Sequence, residues 1–253
     1  MGVFMKTTYY NIELGVNLKV AHLSDIHGKV RRRILDVLRN EKPDLIAISG
    51  DLYDGNLCAK KKITDFLTSL VAIAPTFYSL GNHEIGMSEE TRRKITDTGV
   101  HLLDDSFESF RGITVGGLTS GFFHAHIGNG KKNPHLFGSP APNTAFLDRF
   151  ASLDGCKILL SHHPEYYFDY IKDRNVDLTL SGHAHGGQIR LFGRGLIAPG
   201  QGFFPKYTSG VHDGRLVISR GLANTARLIP RFFNETEIVI LKIGSNLLTK
   251  EAQ

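Results

Sequence analysis

Short apolar, β-rich runs alternate along the chain with longer segments whose apolar residues recur at helical spacing. That is the pattern of layered α/β folds rather than of a helix bundle or an all-β sandwich. Residues 18–24 read as a strand, and 31–40 follow with Ile34, Leu35, Val37 and Leu38 on one helix face. The run DLIAIS at 44–49 is apolar enough for a strand buried on both faces. Further on, the spacing predicts a helix over 63–73, a strand over 76–80, and a helix over 88–98 whose Ser88 and Thr91 suit an N-terminal turn. Two runs at 107–111 and 113–118, separated by one Gly, predict a hairpin. A helix over 144–152 and a strand over 157–161 resume the alternation. The last third reads as strand-rich, at 178–181, 188–191, 206–209, 215–219 and 237–242.

Residues 119–143 fit neither period, since Gly, Pro, Asn and His interrupt both. A loop of that length in a compact domain is usually functional or mobile, so it is a candidate substrate cap. Nothing else divides the chain, and 1–253 reads as a single domain. Its hydrophobic fraction of 41% and charged fraction of 22% belong to a globular protein, which excludes disordered and fibrous classes. The net charge of +5 suits an anionic partner without demanding one, and the runs Arg31–Arg33 and Lys60–Lys62 read as solvated helix faces. Two cysteines, Cys58 and Cys156, allow at most one bridge, so a reducing compartment is the default. No apolar run approaches the ~20 residues of a membrane-spanning helix. The start MGVFMKTTYYN reads neither as a secretory signal nor, with Lys6 at the deciding position, as a myristoylation site. These features predict a cytoplasmic protein whose membrane contact, if any, is peripheral at the inner face.

Five clusters of potential ligands each follow a predicted strand: Asp25-Ile26-His27, Gly50-Asp51, Gly81-Asn82-His83-Glu84, His162-His163 and Gly182-His183-Ala184-His185. Each alone has an ordinary role: an Asp caps a helix, Gly-Asn makes a turn, a lone His packs. Together they place metal-binding atoms at strand ends, where layered α/β folds bind their ligands. Carboxylate, amide and imidazole donors without thiolate suit Mn, Fe, Zn or Co and disfavour Mg or Ca. Seven candidate ligands exceed what one tetrahedral ion takes, so two ions are expected, bridged by a carboxylate ~3.5–4 Å apart in the manner of two-metal hydrolases. Gly50, Gly81 and Gly182 read as points where the backbone approaches the ions closely or turns sharply.

These blocks, in this order, resemble those of the calcineurin-like metallophosphoesterases from about residue 18 to 190. Gly186-Gly187-Gln188 and Gln201-Gly202-Phe203-Phe204-Pro205-Lys206-Tyr207 resemble the bacterial YkuE/YaeI-type branch. The resemblance implies a four-layer αββα sandwich of two mixed sheets, with the metal site at the strand C-terminal ends. It implies one divalent ion on Asp25, His27 and His185, a second on Asn82, His162 and His183, and Asp51 between them. Mn is the expected metal, with Fe, Zn, Co or Ni as substitutes. His83 would bind phosphate and serve as general acid, oriented by Glu84 or a neighbouring carboxylate. Of the adjacent pair, strand alternation lets only one ring face the metals, and the family pattern selects His162 over His163.

The implied reaction is hydrolysis of a phosphodiester by a metal-bridging hydroxide, on a nucleotide or a lipid-headgroup diester. A phosphomonoesterase and a noncatalytic scaffold are the alternatives, and the complete ligand set argues against the scaffold. Phe122, Phe123, His124 and His126, with Lys131 and Lys132, are candidate cap residues, His124 and His126 more for substrate contact than as a metal pair. The segment around Phe203 is either a rim patch able to touch substrate or a lipid surface, or core. No motif accompanies the modest positive charge, so no stable nucleic-acid partner is expected.

Overall fold

The apolar runs fold into two mixed six-stranded sheets in a computed structural model that describes residues 5–53, 60–121, 140–223 and 231–244. In the first sheet the order is β1 (Met5–Glu13), β16 (Thr236–Gly244), β2 (Leu18–Leu23), β3 (Leu45–Ile48), β4 (Thr76–Ser79) and β5 (His101–Leu103). Strands β2 to β5 are parallel, and β16 runs antiparallel to β2. The second sheet orders β14 (Gly210–His212), β15 (Leu216–Ile218), β9 (Leu178–Ser181), β8 (Cys156–Ser161), β7 (Ile113–Leu118) and β6 (Ser106–Phe110). Here β7, β8, β9 and β15 are parallel, and β6 closes the expected hairpin on β7.

Side-chain alternation explains why the sheets stack. Val20, Leu45, Phe77, Val239 and Leu241 of the first sheet meet Val115, Ile158, Leu160, Leu178 and Val217 of the second in one buried layer. The intervening residues of the first sheet, such as Ala21, Ile46, Ile48 and Tyr78, face outward onto α1 (Arg32–Glu41), α2 (Lys60–Val71) and α3 (Glu89–Thr96). Outward residues Leu118, Leu159, Leu216 and Ile218 of the second sheet pack on α4 (Thr144–Ala151) and the π-turn Tyr167–Ile171. The layers are therefore αββα, and strands covered on both faces read as unbroken apolar runs for that reason. The expected caps form: Ser88 accepts the Thr91 N–H and Asn143 accepts the Phe146 N–H.

Three readings of the sequence change. Strand β1 was not expected, because its Lys-Thr-Thr-Tyr-Tyr-Asn core is polar and an edge position tolerates that; parallel pairing with β16 along its full length holds it. Residues 206–209 form no strand: the Gln201 side-chain amide takes a neighbouring strand's place, donating to Tyr207 O and accepting from Tyr207 N. Of 188–191, Ile189 makes an isolated parallel bridge with Phe232, and β10 (Arg190–Leu191) pairs with β11 (Arg194–Gly195). No helix among the described residues is long and apolar enough to cross a membrane.

Candidate metal centre

All five clusters lie at carboxyl ends of parallel strands: Asp25 and His27 beyond β2, Asp51 beyond β3, Asn82 and His83 beyond β4, His162 beyond β8, and His183 and His185 beyond β9. The two sheets bring these ends together. Three sets of side chains place ligand atoms within 4.8 Å of one another: Asp25 with His27 and His185, His27 with Asp51 and His83, and Asp51 with His162 and His183. Asp51 Oδ2 lies 3.2 Å from His162 Nε2, 3.6 Å from His27 Nε2 and 3.8 Å from His83 Nε2. Asp25 Oδ1 is 3.4 Å from His185 Nε2 and 3.9 Å from His27 Nε2.

The backbone is bent to achieve this. Asp25, His27, Asp51, His183 and His185 all take positive φ, between 45° and 64°, a region that non-glycine residues seldom enter and that concentrates at functional sites. Glycines clear the space. Gly50 has φ +101°, and a Cβ there would meet the His162 ring at 2.6 Å. A Cβ on Gly182 would overlap Ser24 Oγ at 1.7 Å and Asp25 Oδ2 at 2.4 Å, and one on Gly81 would strike Asp51 Oδ1 at 2.3 Å. The close approach at Gly81 and Gly182 is to acidic side chains, and at Gly50 it is to the His162 ring.

Buried hydrogen bonds fix the carboxylates and rings. Ser24 Oγ donates to Asp25 Oδ2 at 2.6 Å, and the His183 N–H donates to the same carboxylate. The His83 N–H donates to Asp51 Oδ1 at 3.0 Å. His162 Nδ1 lies 2.8 Å from Ser49 O and donates to it, which fixes the ring with Nε2 facing Asp51 Oδ2 at 3.2 Å. Burial lowers the pKa of His27, His183 and His185, the last to about 4, which leaves these rings neutral and competent as ligands. Burial also opposes charge on His162, but Asp51 and Asp25 outweigh it and hold its pKa at about 10. Burial opposes ionisation of Asp51 as well, and His162 with the other imidazoles overcomes it, keeping Asp51 well below the usual carboxylate range.

The donor set fits a cation. Asn82 Oδ1, His162 Nε2 and both His27 ring nitrogens are buried with no hydrogen-bond partner among the described residues. An unsatisfied buried polar atom costs roughly 1–3 kcal/mol, and divalent ions bound by Asn82, His162 and one nitrogen of His27 would offset part of that cost.

The residues singled out in the sequence meet here, with three amendments. His83 shares a set with His27 and Asp51, yet its side chain alone stands 36% exposed at the mouth of the site, its ring edge-on to His27 at 4.6 Å. Glu84 does not orient His83: its buried carboxylate accepts the N–H groups of Asp51, Tyr53 and Gly81 at 2.7–2.9 Å, clamping two site loops together. Burial, then the Asp51 charge, pushes the Glu84 pKa up to about 7. Strand alternation does not separate His162 from His163, because β8 ends at Ser161; both rings turn inward, and His163 packs on His183 at 4.1 Å. Phe203 lies on β13 (Gly202–Phe203) and is 65% exposed, opposite Ile197 of β12 (Ile197–Ala198). His124 and His126 lie outside the described residues, as does most of the expected cap at 119–143. Its two described ends converge on one hydroxyl: Tyr166 Oη accepts the Gly121 N–H at 3.2 Å and donates to Pro140 O at 2.5 Å.

Sequence reasoning missed the supports. Asn234 donates to His185 O and Gln188 O, and Arg190 is buried, bonded to Gly186 O and Thr208 Oγ1. Ser24 adjoins Asp25 and was findable, whereas Asn234 is 49 residues from His185 and left no local signal.

Comparison with known proteins agrees with this geometry. A metallophosphoesterase of Campylobacter jejuni is 32% identical over 245 residues, which are 90% of this chain and 59% of the relative. Phosphodiesterase YaeI of Escherichia coli is 31% identical over 157 residues, 60% of this chain and 52% of that protein. The metallophosphoesterase YkuE of Bacillus subtilis is 29% identical over 249 residues, 91% of this chain and 78% of that one. The chain spans about half to three fifths of the length of the first of these relatives and of YaeI. The calcineurin-like phosphoesterase family model matches residues 18–187, the interval that carries all five clusters, and the chain belongs to that family.

Proposed function

We propose that this chain, read as one domain over 1–253, hydrolyses a phosphodiester with two divalent ions, Mn being the favoured metal and Fe, Zn, Co or Ni the substitutes. Asp25, His27 and His185 would hold one ion, Asn82, His162 and His183 the other, and Asp51 both. The observation that carries this reading is the place of Asp51. Its Oδ2 is within 3.8 Å of nitrogens from His27, His83 and His162, so one carboxylate reaches both sides of the site. Divalent ions held there supply Lewis acidity toward phosphoryl oxygens and lower the pKa of water.

The chain's own residues do the remainder. His83 Nε2, at the mouth, is placed to bind a phosphoryl oxygen and give a proton to the departing oxygen. Asp51 restrains His83 through its backbone N–H, and Glu84 restrains Asp51 through its own. Preference for a diester draws support from the relative YaeI, which is named a phosphodiesterase.

The test pairs bis-p-nitrophenyl phosphate with p-nitrophenyl phosphate on chelated protein, each metal being restored in turn. Diester turnover should return with Mn and vanish in Asp51→Asn. His83→Gln should lower kcat by about 10²-fold or more while metal content stays at the wild-type level. Faster monoester turnover would instead make the chain a phosphomonoesterase, and bound metal without turnover of either ester would leave a scaffold.

A further inference from the structure

The exposed aromatic surface of this molecule is concentrated beside the site and has no role in the chemistry above. Phe192 is fully exposed, Phe204 and Phe233 are 81% and 82% exposed, and Leu191, Phe203 and Phe232 accompany them. Only Tyr9 and Val211 among the other large apolar residues described are comparably exposed.

Three tips carry this surface, and they are knitted together. The β10–β11 hairpin turns at Phe192 and Gly193; Phe204 follows the β12–β13 hairpin and donates its N–H to Leu196 O; Phe232 O accepts the Arg190 N–H. Asn234 then ties the third tip to His185 O and Gln188 O. Phe192, Phe204 and Phe233 each have positive φ, of 49°, 53° and 52°. A bulky aromatic in that conformation is strained, and Gly or Asn is the ordinary choice. The backbone conformation thus costs energy at each of three phenylalanines that stand in solvent.

Charge narrows the partner. From residue 178 to 237 there are seven Arg or Lys against Asp213, Glu235 and Glu237, a local excess of four in a chain with net charge +5. Arg194 and Lys206 stand exposed among the phenylalanine tips. A second copy of the chain fits poorly, because a twofold contact would set Arg194 and Lys206 against their own like charges. Separate convex aromatic tips with the exposed cations Arg194 and Lys206 among them suit an anionic lipid surface, which admits rings into its interface and pairs the cations with headgroups.

We propose that Phe192, Phe204 and Phe233, with Arg194 and Lys206, dock this protein onto an anionic membrane surface, so that the metal centre works beside the bilayer. The proposal does not depend on which ester is hydrolysed. Its test is co-sedimentation of the metal-loaded full chain with unilamellar vesicles. Binding should occur with phosphatidylglycerol in phosphatidylcholine, weaken in high salt, and be at least about tenfold weaker on phosphatidylcholine alone. Phe192→Ser/Phe233→Ser should lose about tenfold or more, and Arg194→Glu/Lys206→Glu about 30-fold. Both double variants should melt at the wild-type temperature and keep wild-type turnover of the soluble diester. Absence of binding to the anionic vesicles, or equal binding by the phenylalanine variant, overturns the proposal. So does a concentration-dependent dimer that the same variant disperses, since the surface would then belong to a second copy. Vesicle binding is read without activity, so a failed ester assay leaves this result standing.

Discussion

At the scale of single residues, the site departs from what local preference would choose. Five acidic or imidazole side chains occupy left-handed backbone, at roughly 1–2 kcal/mol each, and the glycines around them exist to give a serine, two aspartates and a histidine room. The same neighbourhood holds a histidine with a different duty. His22 lies on β2, wholly buried, its Nε2 2.8 Å from Ser49 Oγ, the residue whose carbonyl also holds His162. Burial drives its pKa from 6.5 down to about 3, against a small opposing pull from Asp25. Above pH 6.5 the ring is neutral in folded and unfolded chains alike. Below that pH only the unfolded chain takes up the proton, so stability falls with acidification by up to about 1.4 kcal/mol per pH unit until pH 3. Urea unfolding of chelated protein at pH 7.5, 6.5 and 5.5 measures this slope. His22→Gln, which retains a partner for Ser49, should flatten it between pH 6.5 and 5.5, and an unchanged slope would assign the acid sensitivity to other groups.

At the scale of elements, β7 shows how one strand serves two layers. Ile113, Val115 and Gly117 face the first sheet, while Gly116 and Leu118 face α4. A Cβ on Gly117 would lie 2.4 Å from Leu103 Cβ and 2.6 Å from Leu103 O, so this glycine sets how near β5 and β7 can stand. Gly117→Ala should destabilise by about 1–3 kcal/mol, because the obstacle is backbone as well as side chain. Its denaturation midpoint checks this, and a midpoint at the wild-type value would mean the sheets separate freely. The sequence showed the strands of such layers well. Runs such as DLIAIS and KILLS are apolar because both faces are covered, and ligand clusters stand out at their ends. Elements held by distant partners were invisible. Strand β1 is polar and exists through β16, more than two hundred residues away, and 206–209 lost its strand to a glutamine side chain. Within the site the ligand types were legible from spacing. The turn of Glu84 away from His83, and of His163 toward His183, depends on loop paths that no local pattern encodes.

At the scale of the whole molecule, the candidate metal centre is also a seam. Asp25, His27, Asp51, Asn82 and His83 come from the first sheet, and His162, His183 and His185 from the second. Elsewhere the sheets meet through apolar side chains, which attract without direction. At the strand ends they meet through carboxylates and imidazoles, where Asp25 and Asp51 lie 3.9 Å and 3.2 Å from His162 Nε2. A cation at that place joins two layers that the unfolded chain would leave far apart, so binding energy becomes folding energy. An ion present at about a thousand times its dissociation constant stabilises the fold by roughly 4 kcal/mol. In a chain of 253 residues that is about 8–16 °C in Tm. Dialysis against a chelator should therefore lower Tm by that amount, and restored Mn should raise it again. In Asp51→Asn the gain on adding Mn should shrink to a few degrees, because the residue facing both sides of the seam has lost its charge. Equal Tm values with and without metal would show that the apolar layer alone holds the two sheets together.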